Sequence, residues 1–190
     1  MSGRRGALFG SRSESKQRTS TTTGTWASAF TGSTGSNDGS GYSLGGKFTL
    51  SADATITDVG IYSPAGSTSL PDSGCPTLTW RICKSTALTT ILITQTFAYN
   101  DGATIDATTK ILSHPITPTV LVAGDYYAWV TGYNASYGYH TTGGGSAVTR
   151  NTLGGKLTWE SGARYNPAPP VYPSIASGGD DYILATLKGY

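Results

Sequence analysis

Between Val120 and Tyr133 the sequence runs VLVAGDYYAWVTGY, and this stretch limits the fold more than any other. Ala123-Gly124-Asp125 reads as a tight turn in which glycine can supply a positive φ. Tyr126, Ala128 and Val130 then alternate with Tyr127 and Trp129. A strand with large side chains on both faces must be covered on both, so it belongs in the middle of a sheet with a second layer against it. Trp80 and Trp129 are expected to be buried on facing strands.

The rest of the chain supplies partners of the same kind. Alternation predicts strands at Lys47–Ser51, Thr55–Ser63, Thr77–Lys84, Thr90–Ala98, Lys110–His114, Asp125–Tyr133, Ala147–Asn151, Lys156–Glu160 and Asp181–Lys188. Asn100-Asp101-Gly102, Pro64-Ala65-Gly66 and Gly143-Gly144-Gly145 offer the turns between them. Helical periodicity free of Gly, Pro and β-branched runs is missing throughout. Only 13% of the residues are charged, as suits strands with neutral, threonine-bearing outer faces. The expected fold is all-β: an antiparallel two-sheet β-sandwich of the jelly-roll type with an extended N-terminal arm. Residues 1–41 form that basic, low-complexity arm, and residues 42–190 form the sandwich domain.

Charge is distributed unevenly between these parts. Arg4, Arg5, Arg12, Lys16 and Arg18 stand against Glu14 alone in the first 20 residues, so a net +2 for the chain leaves −2 for residues 21–190. Because Leu8 and Phe9 sit among the arginines, the arm reads as an anchor on a protein partner, with Arg4, Arg5, Leu8, Phe9 and Arg12 as its contacts, rather than as a nucleic-acid binder. No apolar run of seven or more follows the arginines, and no stretch approaches the ~20 apolar residues of a membrane helix, so synthesis in the cytoplasm without membrane insertion is expected. Cys75 and Cys83 would be held apart by the strand Thr77–Lys84, which contains Cys83, and two free thiols are expected.

Motifs that could carry catalysis fail on their surroundings. Gly41-Tyr42-Ser43-Leu44-Gly45 has the spacing of a nucleophile elbow, and Gly41 to Lys47 that of a phosphate loop. The first needs a strand before and a helix after it; the second needs Ser or Thr where Phe48 stands. His114 and His140 lack partners at metal-ligand spacing, and Asp101, Asp106, Asp180 and Asp181 form no calcium loop, so no metal, no cofactor and no enzymatic activity are expected. Leu44-Gly45-Gly46-Lys47-Phe48-Thr49-Leu50 returns as Leu153-Gly154-Gly155-Lys156-Leu157-Thr158-Trp159, which reads as one device used twice, a Gly-Gly turn opening a strand. The loop Tyr133–His140, YNASYGYH, has the composition of an adaptable recognition loop. Tyr133, Tyr137, Tyr139 and His140 are its candidate contacts to a glycan or a neighbouring subunit.

The pieces YSLGGKF (Tyr42–Phe48), ITDVGIY (Ile56–Tyr62), LTWRI (Leu78–Ile82), TVLVAGDYYAWV (Thr119–Val130) and DYILATL (Asp181–Leu187), in this order, resemble a jelly-roll domain of unknown function. That domain is appended to bacterial surface and carbohydrate-active proteins and occurs in bacteriophage tail proteins. The resemblance covers about Gly41 to Tyr190 and brings no catalytic residues with it. Together with the basic arm it implies a structural bacteriophage virion protein, a capsid decoration or accessory component. Such a protein would be present in many copies, located in the virion and partnered by other capsid or tail proteins. A tail-associated receptor- or glycan-binding module is the alternative.

Overall fold

The computed structural model describes residues 24–27, 34–36, 43–62, 71, 74–106, 111–132, 139–141, 150–165, 177–178 and 185–190. Among them every regular element is a strand. A five-stranded antiparallel sheet has the order β1 (Thr25–Ala27), β14 (Ala185–Gly189), β4 (Ala54–Tyr62), β8 (Ile111–Leu121) and β7 (Thr104–Ile105). A seven-stranded sheet runs β11 (Arg150–Thr152), β12 (Leu157–Tyr165), β3 (Ser43–Leu50), β9 (Gly124–Thr131), β5 (Thr77–Lys84) and β6 (Ile91–Ala98), with β13 (Ser177–Gly178) also paired to β12. A separate ribbon joins β2 (Thr34–Ser36) to β10 (Tyr139–Thr141). The two large sheets face each other as a β-sandwich, as the alternating pattern predicts.

Sequence parity decides what lies between the sheets. In β5, Leu78, Trp80 and Ile82 are wholly buried while Thr77 and Lys84 are exposed, so the TLTWRICK alternation is realised with its expected bounds. These side chains meet Ile56, Val59 and Leu187 from the five-stranded sheet in one continuous core. Phe48 stands at its centre, stacked on Tyr126 at 5.4 Å between ring centroids and set edge-on to Trp159 at 5.1 Å. Burying a side chain of that size contributes about 1.5–3 kcal/mol. The Nε1 of Trp80 is buried there with no hydrogen-bond partner, so its ring is held by packing alone.

Strand β9 lies between β3 and β5, the central place its two-faced sequence requires. Its two faces serve different clusters. Tyr126, Ala128 and Val130 point into the sandwich, whereas Trp129 joins Cys83 in a second cluster on the outer face of the seven-stranded sheet, with Leu88, Ile91 and Tyr127 against it. The expectation that Trp80 and Trp129 oppose each other across the core is therefore corrected. They sit on adjacent strands of one sheet, and because Trp80 is in register with Val130 and Arg81 with Trp129, the two indoles emerge on opposite faces. Both cysteines are free, as expected, and both are buried; desolvation pushes the Cys83 thiol up to about 11.

Two further expectations are corrected. The fifth strand does not end at His114 but continues to Leu121. Pro115 and Pro118 are accommodated because the ladder to β4 jumps from Ile56↔Thr119 to Asp58↔Pro115, so that Thr57 alone faces Ile116, Thr117 and Pro118 in a bulge. The Gly-Gly segment at Gly45-Gly46 is no turn; it lies inside β3, and only the second copy forms one. Within the segment read as an arm, β1 pairs with the last strand β14 at the sheet edge, and β2 pairs with β10.

Candidate functional site

One side of the sandwich is bordered by two strand edges. β6 ends the seven-stranded sheet, and β8 is covered by β7 only at Leu112 and Ser113. At one end the gap is shut: His114 of β8 sets its ring edge-on to Phe97 of β6 at 5.3 Å, and its Nε2 lies 3.0 Å from the Asp101 carboxylate in the turn after β6. That carboxylate also accepts hydrogen bonds from the backbone N–H of Ala98 and of Ala103. Partial burial alone would raise its pKa, but these two bonds and His114 outweigh burial and hold it below the usual carboxylate range. The turn that sequence predicts at Asn100-Asp101-Gly102 is thus present, with positive φ at Asn100 (65°) and Gly102 (88°), and it acts as the latch of the cleft.

From that latch a cleft runs along the side of the molecule. A hollow of about 410 Å³ separates Leu92 to Gln95 from Pro115 to Thr117 and Thr119. It continues past Leu92, Thr119 and Val120 into one of about 210 Å³ and ends near Lys84 and Asp125 in one of about 310 Å³. Val120, Val122 and Leu92 stand on its rim, 62%, 45% and 40% exposed. Tyr126 closes the floor, its hydroxyl donating to the Val122 carbonyl at 2.7 Å; burial first, and then the negative charge of Asp53, raise its pKa. The titratable groups of the cleft lie at its two ends, His114 with Asp101 at one and Lys84, Asp125 and Tyr126 at the other. Among the described residues no three His, Cys, Asp or Glu side chains gather where a metal ion could be held. What the cleft offers is polar contact from Thr94, Gln95, Thr117 and Thr119 beside apolar contact from Leu92, Val120 and Val122.

Sequence reasoning located other candidates. Arg4, Arg5, Leu8, Phe9 and Arg12 of the arm, and Tyr133 and Tyr137 of the loop, lie outside the described residues. Tyr139 and His140 belong to β10, in register with Ser36 and Gly35 of β2, so this end of the tyrosine-rich loop is tied to the N-terminal segment. The cleft itself escaped notice. Its signal was nonetheless present in the sequence: Thr90–Ala98 is the one predicted strand with neither charge nor proline, the residues that commonly guard a sheet edge.

No protein-family model matches the chain, and no curated protein matches it.

Proposed function

We propose that the chain is a structural component of a bacteriophage virion, a capsid decoration or accessory protein attached through its N-terminal segment and displaying the sandwich, without enzymatic activity of its own. The likeness of its strand sequences to the jelly-roll domain found in phage tail proteins supports this reading, and one observation carries it. β1 is laid antiparallel on β14, with Thr25 opposite Gly189 and Ala27 opposite Leu187, so the N-terminal segment is joined to a hydrogen-bonded sheet edge at β1. An arm rooted in a ladder can hold the domain against a pull that a loose linker would pass straight to its first core strand. The partners of the arm are other capsid or tail proteins, met by the charge of Arg4, Arg5 and Arg12 and the apolar side chains of Leu8 and Phe9.

Deleting residues 1–20 tests it, since β1 and the sandwich are left intact. The truncated protein is expected to melt like the full chain and to be missing from purified particles. Normal copy numbers of truncated protein in particles would overturn the role of the arm.

A tail-associated glycan-binding module is the second reading, favoured by the fixed register of Tyr139 and His140 in the β2–β10 ribbon. Sugar stacking on single rings is weak, so a multimerised protein is the suitable probe in a glycan screen. Binding that Tyr139→Ala abolishes would support this second reading over the first.

A further inference from the structure

The three hollows of the cleft differ in chemistry, and they follow in order. The first, about 410 Å³ beside the latch, is bordered by Thr94, Gln95, Thr117 and Thr119, which offer hydroxyls and an amide. The second, about 210 Å³, is lined by Leu92, Val120, Leu121, Val122 and Tyr126. Leu92 borders both. The β5–β6 ladder pairs Ile82 with Ile93 and Cys83 with Ile91, so Leu92 is left over in a bulge, and its side chain stands 40% exposed where the two hollows meet. The third, about 310 Å³, lies where β5 ends, against Lys84, Ser85 and Thr86.

Among the described residues Lys84 is the only cation that borders any of the three hollows. Asp125 borders the third, and Asp53 is close by, accepting from the Ala123 N–H at 2.9 Å. Asp125 is paired with Lys47 at 3.6 Å, however, and Lys156 Nζ stands on the Asp53 carbonyl at 3.0 Å. Each acid thus has a lysine of its own, and the charge of Lys84 is left over. Among the described residues no ion pair holds Lys84, and no hydrogen bond holds the hydroxyls of Ser85 and Thr86.

We infer that the cleft receives the carboxyl end of another polypeptide whose last side chain is aliphatic. The terminal carboxylate meets Lys84, with the Ser85 and Thr86 hydroxyls as further donors. The last side chain fills the apolar hollow between Leu92 and Val122, and the main chain before it runs past Thr94, Gln95 and Thr117. The order of the three hollows selects this occupant. A fatty acid would match the charge and the apolar hollow but would then lay its tail against hydroxyls and an amide, groups that lose by being covered without a partner. A sugar would match the first hollow and leave Val120 and Val122 uncovered. A chain end carries charge, apolar side chain and backbone amides in the sequence the cleft presents them. This reading does not depend on the virion role.

Fluorescence anisotropy with the full-length protein and the peptide Gly-Ser-Thr-Gly-Leu, labelled at its N-terminus, tests the inference. Saturable binding is expected. Capping the carboxylate as an amide should weaken it about tenfold or more, and so should replacing the last residue by Ala. Lys84→Gln should cost about tenfold, while Lys84→Arg, which keeps the charge, should stay within about threefold of wild type. Val120→Asp, in the wall of the apolar hollow, should also cost about tenfold. Lys84 and Val120 are both exposed, so these variants keep the fold. The inference is overturned if the peptide shows no saturable binding, if the amide binds as well as the acid, or if Lys84→Gln changes nothing. Octanoate binding more tightly than the peptide, with the same dependence on Lys84 and Val120, would assign the site to a free fatty acid instead.

Discussion

The tetrapeptide Leu-Gly-Gly-Lys occurs twice, and its two copies fold differently. Leu44 to Lys47 is extended in the middle of β3, whereas Leu153 to Lys156 makes the turn between β11 and β12, with φ of 58° at Leu153, 67° at Gly154 and 85° at Gly155. Glycine is needed for different reasons. A Cβ at Gly45 would collide with the Ala128 carbonyl oxygen and come within 2.7 Å of the Trp129 Cα, so there glycine gives room for the neighbouring strand. Gly154 and Gly155 have open space around a Cβ, and glycine there gives access to the left-handed region. The lysines part company too: Lys47 pairs with Asp125 at 3.6 Å, while Lys156 Nζ donates to the Asp53 carbonyl at 3.0 Å. Only the alternating remainders agree. Phe48-Thr49-Leu50 and Leu157-Thr158-Trp159 are both strands, and they pair with each other, Phe48 opposite Trp159 and Leu50 opposite Leu157. Alternation fixes a strand wherever it occurs; a glycine pair takes its conformation from what lies beside it.

The first copy can be broken hardest from its neighbour. Trp129 is wholly buried against β3 and β5, and Trp129→Ala is expected to cost about 3–5 kcal/mol in urea unfolding. Gly45→Ala comes next, at about 1–3 kcal/mol, because the new methyl presses on backbone that cannot swing aside. In a double-mutant cycle the two should fall short of additivity, since removing the indole loosens the strand that Gly45 crowds; strict additivity would mean that they act separately. In the second copy Gly154→Ala should cost about 1 kcal/mol, from backbone strain alone. A cost equal to that at Gly45 would erase the distinction between space and conformation.

The smallest effect concerns the lysine of the first copy. Asp125 is held below the usual carboxylate range first by the Thr49 hydroxyl, at 2.7 Å, and then by Lys47. A carboxyl with a depressed folded pKa stabilises above its unfolded value, ~3.9, and that contribution is lost as pH falls through the folded value. Asp125→Asn should therefore leave melting temperature least altered in acid and lower it slightly at neutral pH. Since the carboxylate is 44% exposed, the difference should shrink further in high salt.

Much of the fold was legible because parity survives in the strands that build the core. Leu78, Trp80 and Ile82 announce an inner face, and the sandwich follows from many such runs separated by turns. Where reading failed, a tertiary partner had overridden a local rule. Pro115 suggested that β8 stops, but the bulge opposite Thr57 lets the strand go on. Trp129 has no parity signal of its own, since both faces of β9 carry aromatic rings, and only the register with Arg81 shows which face it takes. The cleft was harder still. It is made by the edges of two sheets, and which strands become edges is a property of sheet order, 14-4-8 on one side and 9-5-6 on the other, that no single strand declares.

The bulge in β8 also separates length from register. Thr57 holds its place with three residues opposite it, and the ladder resumes at Asp58 and Pro115 as though nothing had intervened. Material added between Thr117 and Pro118, beyond Ile116, which packs on the core, would enter where three residues already face Thr57 and need not shift the pairs on either side of it. The sandwich thus has a position at which new surface can be grafted and tried while the register of its core strands is kept, much as a bracket can be changed on a finished wall.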